Sequence, residues 1–433
     1  MSEECSRSLC SSIKSCIHLE RLNLEDITLH DGVIDLNSLT KLTNLILNKV
    51  TMSEECSRSL CSSIKSCIHL ECLKLWYIIL HDGVIDLSSL TKLTNLNLNK
   101  VTMSEECSRS LCSSIESCIH LERLNLEDIT LHDGVIDLSS LTKLTNLILN
   151  KVTMSKECSR SLCSSIKSCI HLKRLNLGSS MLPDGVIDLS SLTKLTYLIL
   201  YTVYMTMECR RSLCSSIKSC IHLKCLQLKY IILDDGVIDL SSLTKLTNLE
   251  LNDVTMSEEC SRSLCSSIKS CIHLERLNLK VITLDDGVID LSSLTKLTYL
   301  ILNKVTMSEE CSRSLSSSIK SCIDLECLDL QYITLHDGVI DLSSLTKLTN
   351  LKLNKAIMSE ECSRSLCSSI KSCIHLGYLY LEDITLHDGV IDLSNLSNLS
   401  YLLFSNVTMS PHCRQTLQTS RKSCKKLIYC NIK

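Results

Sequence analysis

The groups in this 433-residue sequence that could do chemistry are twenty-nine cysteines and thirteen histidines. Together they could form a metal site, a disulfide framework or a nucleophile with its base. Their spacing argues against each. Cys67-Ile68-His69 recurs as Cys16-Ile17-His18 and Cys118-Ile119-His120, but one occurrence supplies two ligands and the next is too distant to complete a tetrahedral site. His69 is instead expected to end a helix, where an imidazolium suits the negative dipole. A second histidine column, His30, His81, His132, His336 and His387, gives way elsewhere to Pro183, Asp234 and Asp285 and reads as a turn position. Cys56 and Cys67 fall on one helical face ~16 Å apart at 1.5 Å per residue. Equivalent cysteines in successive copies are separated by a whole repeat, at least ~10 Å, beyond the ~7 Å that a disulfide spans between Cα atoms. The cysteines are therefore read as free, buried thiols acting as small hydrophobes, with Cys10 and its equivalents off the main helical face and less buried. No phosphate-binding glycine loop and no nucleophile motif occurs. A catalytic centre needs one asymmetric constellation, whereas this chain repeats the same groups eight times. No enzyme activity, metal or cofactor is expected.

The elements that carry these groups repeat with a fixed length. Cys5, Cys56, Cys107, Cys158, Cys209, Cys260, Cys311, Cys362 and Cys413 are each 51 residues apart, with no insertion or deletion. Eight full units cover residues 1–408 and a degenerate ninth covers 409–433. A fixed internal period makes the expected organisation one elongated domain, residues 1–433, with a continuous core.

In the unit Met52 to Thr102, Cys56, Leu60, Ser63, Ile64 and Cys67 recur every three or four residues, which predicts a helix near 53–68. Ser53 can cap it, and Glu54 and Glu55 suit its positive end. Two segments follow, Leu70 to Leu80 and Leu93 to Met103, separated by the Asp82-Gly83 turn signal. Both fit L-x-x-L-x-L-x-x-(apolar)-x-(apolar). This resembles the leucine-rich repeat, except that Ile or Val stands where that signature has Asn or Cys. The missing side chain normally bonds backbone in the loop, so these turns must satisfy those groups another way. The two segments start 23 residues apart and the next long one, at Leu121, begins 28 further on. Each unit is thus a 28-residue and a 23-residue repeat. The resemblance implies an α/β leucine-rich repeat solenoid, a curved horseshoe with a parallel sheet on the concave face and helices on the convex face. Nine long and eight short signatures predict seventeen strands. By the two-residue period, Leu73 and Leu75 point into the core and Lys74 points out.

An aromatic content of 3% within 44% hydrophobic residues means the core must be aliphatic. A net charge of −3, from 45 basic and 48 acidic residues, leaves no electrostatic footprint for nucleic acid or an anionic membrane. The N-terminus has no secretory signal and no segment approaches the ~18 apolar residues of a membrane span, so a cytoplasmic location is expected. Because Met1 falls at the place of Met52 and Met103, the chain begins inside a repeat without a polar cap, and it reads as a piece of a longer protein.

The units differ on the predicted open face. One column holds Arg21, Cys72, Arg123, Arg174, Cys225, Arg276, Cys327 and Tyr378; another holds Asp26, Tyr77, Asp128, Ser179, Tyr230, Val281, Tyr332 and Asp383. Of the twelve Tyr and Trp residues, eleven occupy such columns and Tyr204 does not. Drift at unconstrained positions would have scattered them over the helices as well. Strands favour aromatics, yet Tyr and Trp are also the residues that anchor interfaces. The expected protein-binding residues are Trp76, Tyr77, Tyr197, Tyr201, Tyr230, Tyr299, Tyr332, Tyr378, Tyr380 and Tyr401, with Tyr429 in the same columns, and the expected partner is a protein or peptide on the concave face.

The alternation of long and short repeats, with the motif running from Leu9 to Leu24, is similar to the C-terminal leucine-rich region of NOD-like receptors. That resemblance implies ligand sensing in innate immunity, or an autoinhibitory or structural array contacting the receptor's own domains. F-box proteins with cysteine-containing leucine-rich repeats are the other resemblance, implying recruitment of substrates to a ubiquitin ligase.

Overall fold

The computed structural model describes residues 2–29, 32–81, 83–132, 134–182, 184–284, 287–336 and 338–432. His30, Pro183 and Asp285 of the second histidine column, and Asp82 of the turn signal, lie outside them. The chain divides into two compact halves, Met1–Cys220 and Ile221–Lys433.

Each unit is built alike. The helix Glu54–Ile64 begins at Ser53, an extended residue (φ −67°, ψ 162°) whose Oγ accepts the Cys56 N–H at 3.2 Å. Glu54 and Glu55 fill its first turn, and Cys56, Leu60, Cys61 and Ile64 are buried. It stops at Ile64, short of the expected residue 68, because serine and cysteine are weak helix formers and packing alone must hold the last turn. The strand Cys72–Trp76 buries Leu73 and Leu75 and turns Cys72, Lys74 and Trp76 outward. It pairs in parallel with Asn95–Asn99, Leu73 beside Leu96 and Leu75 beside Leu98. Stacking leucine on leucine removes each side chain from water, worth about 2 kcal/mol apiece. Among the described residues, eight such strands occupy the first half, from Arg21–Glu25 to Tyr197–Tyr201. Nine occupy the second, from Cys225–Leu233 to Tyr429–Ile432. Seventeen strands are what one per repeat requires.

The turns solve the problem of the missing Asn with backbone alone. The residue after each five-residue strand, or the sixth residue of the nine-residue strands, adopts a left-handed conformation, from Asp26 (φ 51°) through Tyr77 (54°) to Asn406 (52°). Its N–H is thereby aimed at the last carbonyl of the next strand: Asp26 to Asn48 at 3.0 Å, Lys49 to Trp76 at 2.9 Å, Tyr77 to Asn99 at 3.0 Å. Ile78 and Val101, which replace the Asn, are buried beneath this ladder. One copy reverts to a polar solution: Ser180, fully buried in that column, donates to the Leu149 carbonyl at 2.7 Å.

Two sequence expectations are corrected here. His69 does not end the helix; it lies five residues past Ile64, and its Nδ1 is 2.9 Å from Lys92 Nζ in the next repeat. His120 with Lys143, His171 with Lys194, His222 with Lys245 and His273 with Lys296 repeat the pair. An ammonium can only donate, so Nδ1 is the acceptor in this contact, which lies outside the helix and its dipole. Where Asp324 replaces the histidine, Lys347 bonds its carboxylate at 2.6 Å. The second correction concerns Cys10 and its equivalents, which are buried as deeply as the other helical cysteines. The reason is the glycine of the turn: a Cβ on Gly83 would come within 2.6 Å of Cys61 Sγ, and Gly134 and Gly287 stand likewise against Cys112 and Cys265. In the second histidine column Asp234 and His387 lie in turns, as expected, whereas His81, His132 and His336 do not; the His81 N–H donates to buried Ser57 Oγ at 3.1 Å.

Candidate functional site

Strand alternation places one set of the proposed anchors directly on the open face. Trp76 ends the strand Cys72–Trp76, half-buried, with Lys74 Nζ 5.4 Å from its ring centre. Tyr197 and Tyr201 are the first and last residues of one strand. Tyr197 receives the Arg174 guanidinium at 4.6 Å, and the two are register partners across neighbouring strands. Tyr201 is register partner to Gly178, and its ring lies over that glycine. Burial, and then the charge of Glu127, push the Tyr201 phenol up.

Tyr77, Tyr230 and Tyr332 are placed differently from the expectation. They do not belong to the extended, alternating stretch but are the left-handed residue that follows it, beyond the strand's end for Tyr77 and Tyr332 and within Cys225–Leu233 for Tyr230, with φ of 54°, 53° and 50°. That turn lifts the rings to the rim of the face, where they are 49%, 56% and 42% exposed. Lys100 Nζ sits 4.7 Å over the Tyr77 ring, and Lys304 and Lys355 lie 5.5 Å and 4.9 Å from that of Tyr332. Tyr230 has no cation over its ring among these contacts, since Asp253 takes the place that Lys100 holds beside Tyr77.

In the second half, Tyr378, Tyr401 and the additional Tyr429 are register partners on three successive strands. Their rings stack at 4.4 Å and 4.6 Å, each pair tilted by 10°. Tyr380 is parallel to Tyr378 at 6.3 Å, lies beside Lys352 at 5.2 Å, and donates its hydroxyl to the Glu382 carboxylate. That bond holds the Tyr380 phenol well above its usual range, with burial adding to it. The structure therefore gathers Tyr378, Tyr380, Tyr401 and Tyr429 into one aromatic platform and leaves Trp76, Tyr77, Tyr230 and Tyr332 as separate rings.

Tyr299 belongs to a different feature that spacing did not reveal. With Arg276, Glu250, Asn248, Asn278 and Gln227 it lines a recess of about 260 Å³. Arg276 stacks on the ring at 4.1 Å. Glu250 accepts from Lys229 at 2.9 Å and from Asn278 at 3.4 Å, and the Asn278 carbonyl oxygen has no donor. Nearby on the same face, Asp329 is half-buried and bonded on one oxygen by Gln331 at 3.0 Å. Burial raises its carboxyl despite Lys352 and Lys280. Comparing units could have found it, because Asp329 stands where other long repeats have Asn125, Asn176 or Asn278. The recess combines both charge signs with an aromatic wall, a lining suited to polar side chains of a polypeptide. Among the described residues no group of three or more His, Cys, Asp or Glu could hold a metal ion, and no helix is long and apolar enough to cross a membrane.

No family model and no curated relative matches the chain. Solved structures do. The chain is similar to a leucine-rich repeat protein of Leptospira interrogans, with a TM-score of 0.60, 17% identity and coverage of 97% of each chain. It is also similar to an internalin of Listeria monocytogenes, with a TM-score of 0.50, 18% identity and coverage of 92% of this chain and 88% of the other. The fold is that of the leucine-rich repeat proteins.

Proposed function

We propose that the chain is a non-enzymatic recognition solenoid whose open sheet face binds a protein or peptide through its tyrosines. One observation carries this reading: Tyr77, Tyr230 and Tyr332 occupy a left-handed backbone position. That conformation costs an L-residue about 1 kcal/mol and is cheapest for Gly, Asn or Asp. Three other copies hold Asp there, at Asp26, Asp128 and Asp383. Strand propensity therefore does not explain the aromatics at this column, and their rings stand exposed at a cost to stability. Exposed, semi-rigid aromatics beside cations are what interface anchors look like.

A partner of mixed charge fits better than nucleic acid, because cations and anions alternate on the face. The finer reading is the sensing region of a NOD-like receptor in the cytoplasm. The alternation of long and short repeats supports the family, and a reducing compartment is where twenty-nine unbridged cysteines would persist. A transcript joining this region to a nucleotide-binding domain would support that assignment; one joining it to an F-box would replace it with the adaptor reading.

The binding assignment is tested with peptides selected against the immobilised chain from a random library. Replacing Trp76, Tyr230 and Tyr332 by Ala should weaken their binding by about 2 kcal/mol per anchor used, roughly thirtyfold. Binding that survives these changes and is lost on replacing the exposed helix residues Arg58 and Ser62 overturns the assignment.

A further inference from the structure

The recess on the open face of the second half holds a cation whose hydrogen-bonding capacity is unspent. Arg276 lies over the Tyr299 ring at 4.1 Å, and the two are register partners on adjacent strands. Stacking uses the flat face of the guanidinium and leaves its in-plane N–H donors free. Among the described residues no carboxylate pairs with them. Glu250, the acidic residue of the recess, has Asn278 as its register partner. It is therefore one strand across and two residues along from Arg276, roughly 8 Å between Cα atoms. Its charge is met by Lys229 at 2.9 Å, and Asn278 donates to the same oxygen, Oε1, at 3.4 Å. Arg276, Lys229 and Glu250 together leave one uncompensated positive charge. Asp329 lies two strands beyond Asn278, with Lys352 and Lys280 to offset it. The first half contains a comparison: Arg174 stacks on Tyr197 at 4.6 Å in the same register, but Ile148 stands beside Asn176 where Glu250 stands beside Asn278. The guanidinium and its ring recur; the carboxylate beside them does not.

We propose that this recess is the subsite for a carboxylate of the bound polypeptide, an acidic side chain or a free C-terminus, held by the edge of the Arg276 guanidinium. The inference rests on the open face being the polypeptide-binding surface and adds which group is read there. A carboxylate matches the planar fork of arginine as a bidentate pair, and its charge-assisted bonds are about twice as strong as neutral ones. Tyr299 holds the fork in place, so little side-chain freedom is lost when the anion arrives. Glu250 sets the charge that the subsite accepts. One negative charge balances the excess, whereas the dianion of a phosphomonoester overshoots it and is repelled by Glu250. The second oxygen of Glu250 remains to accept an N–H of the ligand.

The test titrates the full isotope-labelled chain with single capped residues and follows the Arg276 Nε–H resonance by NMR, the resonance being identified by its loss in Arg276→Gln. N-acetyl-glutamate N-methylamide and N-acetyl-alanine with a free carboxylate should each shift it, and the tighter of the two names the source of the carboxylate. N-acetyl-glutamine N-methylamide should bind about tenfold more weakly than the glutamate probe. The glutamate probe should lose as much on Arg276→Gln, where the backbone amides of Asn278 and Tyr299 report binding. N-acetyl-phosphoserine N-methylamide should bind the wild-type chain more weakly than the glutamate probe, and Glu250→Gln should remove that preference. The Arg174 resonance, beside Ile148, should show no preference for one charge over two. Equal affinity for the glutamate and glutamine probes, an unchanged glutamate affinity in Arg276→Gln, or tighter wild-type binding of phosphoserine overturns the proposal. The probes are single residues that do not reach the anchors on the rim. Failure of library peptides to bind through Trp76, Tyr230 and Tyr332 and failure of the probes at Arg276 are therefore separate results.

Discussion

The ring of Tyr201 lies flat over Gly178, its register partner one strand away; a Cβ on that glycine would fall 1.8 Å from the ring. Elsewhere the same place holds Glu25, Trp76, Glu127, Lys229 or Glu382. The glycine and the tyrosine are thus a matched pair, and Gly178→Ala should destabilise the chain by about 1–3 kcal/mol through overpacking. Adding Tyr201→Ala should recover most of that loss. Urea unfolding of the two single variants and the double variant measures the coupling.

Val281 is a β-branched residue at φ 49°, a genuine backbone outlier. Val281→Gly should raise stability by about 0.5–1 kcal/mol despite the entropy glycine adds to the unfolded chain. Tyr230→Asn should stabilise as well while weakening peptide binding. Opposite signs for stability and affinity in that one variant would separate an anchor from a structural residue, and thermal melts beside a binding titration read both.

Carboxylates give the chain two opposed pH dependences. Asp86 and Asp290 accept hydrogen bonds from Ser88 and Ser292, hydroxyl first and backbone second, which hold both carboxyls below the usual range. A depressed folded value contributes stability above the unfolded ~3.9 and loses it as pH falls through the folded value. Asp86→Ala should therefore cost stability at pH 7 and progressively less as pH falls from ~3.9 through the folded value. Asp329 is raised by burial, so its ionised form is the disfavoured one in the folded chain, and its penalty grows as pH rises from the unfolded ~3.9 and is complete above the folded value. Asp329→Asn should raise the urea midpoint at pH 7, with the gain vanishing below pH ~4.

Burial holds the Cys67 thiol up at about 11 and that of Cys118 at about 12. Alkylation with iodoacetamide near pH 8 should label exposed Cys5, Cys16 and Cys430 within minutes and these two only on unfolding. Mass spectrometry of the native protein counts the labels.

The strands and core were legible in the sequence because leucine spacing reports directly on which side chains face inward: Leu73 and Leu75 are where the pattern puts them. The helix was legible at its start, where Ser53 and Glu54 act locally, and less so at its end, which depends on packing. Backbone handedness was not legible. Nothing in the types at Asp26, Lys49 and Tyr77 announces a shared left-handed residue, so Tyr77, Tyr230 and Tyr332 were assigned to the extended strand. The recess around Arg276 depends on register between strands, which no single segment encodes.

The turns tie each repeat to its neighbour through main-chain groups, Asp26 N–H to Asn48 carbonyl and onward, in a pattern that needs no hydrogen bond from the side chain at that place. Any copy can therefore follow any other. A recombination event that adds or removes a whole 51-residue block creates a seam chemically like those already present, so the length of the array can change without breaking the main-chain ladder while the rim residues of each block are reshuffled.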